Sequence, residues 1–160
     1  AAQFRTAAKL GMCVNLFANH HFYWGDEHYA LTVGPDRATR MNACRTALDS
    51  GVPMAIHSDA PVTPLGPLFT AWAAINRVTA SGRIQGQEER IQVHEALWAI
   101  TMGAAYTLHL DGEIGSIETG KKADFAVLEA DPTACDPMQL KDIGVWGTVQ
   151  GGRIFPAAGL

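Results

Sequence analysis

With 160 residues, 48% of them hydrophobic and 18% charged, the chain has the composition of a folded globular protein and not of a disordered one. A formal net charge of −4 and the absence of any basic run exclude an electrostatic nucleic-acid surface. No apolar stretch reaches membrane-spanning length and the start lacks a secretion-signal pattern, so no membrane partner is expected and the expected location is cytoplasmic.

In chain order, residues 3 to 10 carry helix-forming Gln, Arg, Ala, Lys and Leu, and Gly11 suits the residue just past a helix end. Residues 12 to 18 predict a first strand whose far end delivers Asn19, His20 and His21. An aromatic loop follows. Gly34-Pro-Asp36 then marks a helix start, Ala38, Met41, Cys44 and Leu48 recur at helical spacing, and Gly51 stops the helix. Residues 52 to 58, an apolar run without polar alternation, predict a second strand covered on both faces. Strand, helix and strand with short connections form a right-handed parallel unit, so both strand ends face one rim. That topology brings Asn19, His20 and His21 near His57 and Asp59.

Beyond the Pro61, Pro64 and Pro67 loop, Leu68, Ala71, Trp72, Ile75 and Val78 predict a helix ending near Gly82, and Ala96, Leu97, Ile100, Ala104 and Leu108 another over about 93 to 109. From Asp111 the texture changes to turns and short β-like runs at 115–117, 123–129, 145–149 and 153–155, with Gly151-Gly152 as a two-residue hairpin signal. A boundary near residue 110 therefore divides an α/β part, residues 1–110, from a small β part, residues 111–160.

Three motifs bear on chemistry. His94-Glu95 begins the metalloprotease pattern HExxH, but Trp98 stands where the second histidine belongs, so that reading fails. Gly115 to Lys122 nearly spells a phosphate-binding loop, yet Lys122 replaces the magnesium-binding hydroxyl and the run precedes a strand, which indicates a turn. His20-His21-Phe-Tyr-Trp24-Gly-Asp26-Glu27-His28 is rich in ligand-type residues, and it reads equally as a binding segment or as an aromatic loop with incidental histidines. Either His20 or His21 can contact substrate or supply a proton, because imidazole titrates near neutrality, and Trp24 suits a pocket wall. Cys13, Cys44 and Cys135 fit neither a disulfide framework nor a zinc site. Asp59, at the carboxyl end of the second strand, occupies the edge where α/β enzymes keep catalytic groups, and it also reads as an aspartate opening a turn.

His57-Ser-Asp59-Ala-Pro-Val62, His94-Glu-Ala-Leu97 with Thr101 and Ala104-Ala105-Tyr106, the block from Gly112 to Leu128, and Gly147 to Arg153 together resemble the C-terminal part of metal-dependent amidohydrolases. The subgroup is the amidohydrolase 3 type, similar to N-substituted formamide deformylases. This resemblance implies an α/β fold made of part of a (β/α)8 TIM barrel, its last two strands and helices, followed by part of a small β-sandwich. It implies hydrolysis of a non-peptide carbon–nitrogen bond in a small amide-type substrate, with Asp59 as both metal contact and general base and acid; His20, His21 and Trp24, from the reading of their own segment, are the expected substrate-binding residues. The implied cofactor is a divalent metal, zinc by coordination habit, belonging to a full-length enzyme. A closed barrel takes about 250 residues, so the chain is expected to be a fragment whose other ligands lie upstream. Alone it is expected to be inactive and to bind zinc poorly, and to associate with the missing barrel half or as a homo-oligomer. The alternative is a catalytically inactive module derived from the same fold.

Overall fold

The computed structural model describes residues 1–157. Helix α1 (Ala2–Lys9) turns through Leu10 and Gly11, at φ +69°, into strand β1 (Val14–Phe17). Strand β2 (Met54–His57) pairs with it in parallel, Val14 opposite Met54 and Phe17 opposite His57. Met54, Ala55 and Ile56 are consecutive and all buried, as an apolar run without alternation demands when both faces are covered. The register sets Phe17 and His57 side by side, so the two segments that leave β1 and β2 emerge together.

Helices cover this pair. Helix α5 (Pro67–Asn76) opens with proline in its first turn and buries every residue from Thr70 to Asn76. Trp72 anchors it in a core with Val52, Met54, Ile56, Ala96 and Ala99. Residues 93 to 109, expected as one helix, are two: α6 (Val93–Ile100) and α7 (Met102–Thr107). The break falls at Thr101, with φ −119° and ψ −89°. It lets Gly103 lie against the Met54 carbonyl and 2.9 Å, at a hypothetical Cβ, from the Trp98 ring, so any side chain there would collide with β2.

Two other expectations change for physical reasons. The aromatic stretch after β1 is not a loop but helix α2 (His20–Glu27), which runs on into a π-helical turn, His28–Thr32. The single helix expected over 34 to 51 is broken into α3 (Pro35–Ala38) and α4 (Cys44–Asp49). Between them the carbonyls of Thr39, Met41 and Asn42 turn outward to accept hydrogen bonds at 3.1, 2.8 and 2.9 Å from the Arg77 guanidinium. Arg77 itself ends α5 in a left-handed conformation, φ +53°, five residues before the expected stop at Gly82. Gly82 instead turns a short loop bridged by Val78 and Ile84.

The remaining strands, β3 (Phe125–Leu128), β4 (Val145–Gln150) and β5 (Arg153–Pro156), form an antiparallel sheet in the order β3-β4-β5. Gly151 and Gly152, at φ +55° and +81°, make the two-residue hairpin between β4 and β5, a conformation that favours glycine. The run at 115–117 forms no strand. Lys121, in the false phosphate loop, donates to Ser116 Oγ at 2.7 Å ahead of β3, which fits a turn. The 3-10 turn at Pro137–Asp142 packs back on α5, with Trp72 Nε1 donating to the Met138 carbonyl at 3.0 Å and Leu140 fully buried in the shared core.

Candidate active site

Where β1 and β2 end, the chain makes a framework from three polar groups. Asn19 is fully buried and its Nδ2 donates to Thr63 Oγ1 at 2.9 Å, while the Thr63 hydroxyl donates to the Ser58 carbonyl. This ties the end of β1 to the loop after β2. Asp59 lies inside that frame. Its carbonyl accepts from Val62 N at 2.8 Å, and its φ of +55° is unusual for any residue but glycine and is tolerated best by Asn and Asp. The residue is exposed at the rim.

An aromatic and imidazole cluster stands beside it. Phe17 stacks on His57, with centroids 5.3 Å apart and planes at 19°, and approaches His20 at 5.1 Å. Trp24 meets His20 edge-on at 5.2 Å and 86°. His20 Nε2 is 2.9 Å from His28 Nε2, and His28 Nδ1 is 2.5 Å from Thr32 Oγ1. Burial holds the His20 pKa below its ordinary value, the nearby His28 adds to this, and the negative charge of Asp59 opposes both. His20, after the end of β1, is therefore brought near Asp59, after the end of β2, with Trp24 packed on His20.

His21 goes elsewhere. It is 1% exposed, and neither ring nitrogen has a hydrogen-bond partner among the described residues. Burial, then the charge of Arg77, push its pKa down to about 3. The helical turn explains the split: adjacent residues on a helix point about a hundred degrees apart, so one histidine faces the rim and the next faces the interior. The sign of the linked stability follows. Above the ordinary value of 6.5 both the folded and unfolded chains hold neutral His21; between there and about 3 only the unfolded chain takes up the proton, so stability falls as pH falls through that window. His21→Phe removes this proton uptake and is expected to lower the midpoint of acid unfolding by about half a pH unit or more. Fluorescence-monitored acid titration of both proteins checks it, and an unmoved midpoint would count against a neutral buried His21.

Other ligand-type residues of the same segment serve the scaffold. Asp26 accepts from Thr79 Oγ1 at 2.9 Å, from Ser81 N at 3.0 Å and from Ser81 Oγ at 2.7 Å, fastening the 78–84 loop to α2. The Cys44 thiol is wholly buried and pushed up to about 12 by that burial, so it is no nucleophile. Sequence patterns had not singled out the partnership of His20 with His28. Eight residues rise about 12 Å along an α-helix, and no spacing rule pairs them. Nor did any pattern mark Arg77.

The donor set does not by itself fit a metal. Among the described residues no group of three or more His, Cys, Asp or Glu side chains is arranged to hold an ion, and Asp59 is one carboxylate. Nor, among them, is any helix long and apolar enough to cross a membrane.

The parallel strand pair, with an exposed aspartate and an imidazole cluster at its carboxyl ends, is part of an α/β fold that solved structures share. A metal-dependent hydrolase from Pyrococcus horikoshii OT3 is similar with a TM-score of 0.71 at 19% identity, over 85% of this chain and 28% of that one. The chain belongs to the amidohydrolase family, whose model matches residues 1–156. It is 32% identical over 152 residues to the Bacillus subtilis (strain 168) amidohydrolase YtcJ, covering 92% of this chain and 28% of that protein. It is 31% identical over 127 residues to the N-substituted formamide deformylase of Arthrobacter pascens, covering 79% of this chain and 23% of that protein. The chain thus spans about a quarter of the length of the curated relatives it matches.

Proposed function

We propose that these residues form the C-terminal part of a metal-dependent hydrolase that cleaves a non-peptide carbon–nitrogen bond in a small amide-type substrate, with Asp59 as its proton-transferring carboxylate. The observation that carries the proposal is Asp59 itself: an exposed carboxylate at φ +55°, at the carboxyl end of a parallel strand, framed by the Asn19–Thr63–Ser58 hydrogen bonds and near His20, on which Trp24 packs. An unfavourable backbone conformation held by surrounding hydrogen bonds is a mark of functional positions. Asp59 takes a proton from the attacking water and returns it to the departing amine, which is within the ordinary reach of a carboxylate acting as base and then acid. His20 and Trp24 contact the substrate beside it. His21, from the same pair, was expected to do so; its buried place suits a structural role instead.

On this reading β1 and β2 are the last two strands of a (β/α)8 barrel, residues 1–110 belong to that barrel, and residues 111–160 belong to a β-sandwich. Asp59 is one ligand of a divalent metal, with zinc proposed because three-ligand catalytic zinc sites suit this chemistry. The remaining ligands lie outside these residues, in agreement with the share of the relatives that the chain covers. A cytoplasmic location is part of the same proposal. The exposed Trp146, Ile154 and Phe155 on the antiparallel sheet favour association with the rest of the barrel or, on the second reading, a homo-oligomeric module without activity.

Metal dependence separates the two. The full-length polypeptide carrying this segment is expected to hydrolyse an N-substituted formamide, to lose that activity to a chelator, and to regain it with added divalent metal. Absence of hydrolysis in a metal-loaded, folded full-length protein would leave the inactive module as the better description.

A further inference from the structure

We propose that His28 is the positioning residue for His20, holding that imidazole by Nε2 so that Nδ1 is the ring atom offered at the Asp59 rim. The inference rests on reading that rim as a substrate site. With Nε2 atoms 2.9 Å apart, one ring must donate and the other accept, so two neutral imidazoles take complementary tautomers. His28 is itself held: its Nδ1 lies 2.5 Å from the Thr32 hydroxyl, and with that hydroxyl donating, the His28 proton sits on Nε2, His20 Nε2 accepts it, and the His20 proton sits on Nδ1. Thr32 stands four residues after His28 in the π-helical turn, so the turn that ends α2 supplies the brace. Trp24, edge-on to His20, and Phe17 at 5.1 Å restrict the ring plane further.

A histidine on a helix end would otherwise sample several rotamers and both tautomers. Here Nε2 is occupied, and Nδ1 is the remaining ring nitrogen with which His20 can meet a polar substrate atom such as an amide oxygen. The brace is the same device that orients metal-binding or catalytic histidines elsewhere, where one ring nitrogen is tied so that the other is aimed.

Nitrogen NMR of 15N-histidine-labelled 160-residue chain tests this. His20 is expected to show the shifts of one tautomer, and His28→Ala is expected to move both its ring nitrogens to values averaged over two tautomers. His28→Gln, whose amide nitrogen or oxygen can replace Nε2, should restore the single tautomer, and Thr32→Val should weaken the selection. Averaged shifts in the unmodified chain, or His20 shifts unchanged by His28→Ala, would overturn the proposal. Backbone amide spectra show whether each variant is folded; if His28→Ala is not, Thr32→Val and the unmodified chain decide. Asp59→Asn should shift His20 without releasing its tautomer. If the brace fails while Asp59→Asn still shifts His20, only the positioning role falls; if the brace holds in a chain whose full-length form cleaves no carbon–nitrogen bond, only the hydrolase reading falls.

Discussion

On the proposed hydrolase reading, Asp59→Asn is expected to lower kcat/KM of the full-length polypeptide by about a hundredfold to ten-thousandfold or more, the range lost with a general acid–base group, while leaving the fold in place. The contrast between the two effects is what makes the variant informative. The side chain is exposed and has no side-chain hydrogen bond among the described residues, so its amide replacement buries no unmet polar group. Its left-handed backbone, φ +55°, is a conformation that asparagine adopts more readily than other residues bearing a Cβ. Stability should therefore change by less than about 0.5 kcal/mol, as for surface substitutions in general. In the proposed mechanism the amide could not take the proton from water and would be a weaker metal ligand. Steady-state kinetics beside a urea titration measure both, and activity equal to the unmodified enzyme would remove Asp59 from the mechanism.

Arg77→Lys is expected to cost about 3 to 5 kcal/mol of stability, a large part of what a domain of this size has. Arg77 is 1% exposed, and burial lowers its pKa to about 10, so it remains charged at neutral pH. Its Nε donates to the Gln85 carbonyl at 2.9 Å, and its two terminal nitrogens donate to the carbonyls of Asn42, Met41 and Thr39. A planar fork reaches four acceptors spread over two chain segments; an ammonium group offers three donors from one point and leaves carbonyls unmet. The carbonyls between α3 and α4 would then lose the group that holds them out of a helix. The loss should appear as a lower urea midpoint and as faster amide exchange through residues 38 to 44. A cost under about 1 kcal/mol would mean that the turn holds without its guanidinium.

The parallel pairing of β1 with β2 was legible because apolar runs of strand length on either side of a helical segment form a crossover unit, whose two strands lie parallel. The hairpin at Gly151-Gly152 was legible for a stricter reason: two successive positive φ angles are inexpensive only for glycine. The same logic picked out Asp59, since a carboxylate that follows a buried run stands at a sheet end whatever the rest of the molecule does. Helix lengths were less legible. Propensity favours continuing through Thr39 to Asn42 and through Thr101, and the breaks come from a distant guanidinium and from close contact with β2.

His20 and His21 show most plainly where sequence reading stops. As neighbours of the same residue type they carry the same chemical promise, and only the onset of a helix at His20 sends one to the rim and the other to the interior. The sequence by itself determined the residue types, the two strand ends that share an edge, and the family. The tertiary structure decided which side chains meet there: it set His20 against His28 and near Asp59, and closed Arg77 over three turned-out carbonyls. Such contacts join residues eight to about forty positions apart, and they depend on the direction of each side chain in the packed state, a quantity that no local periodicity encodes.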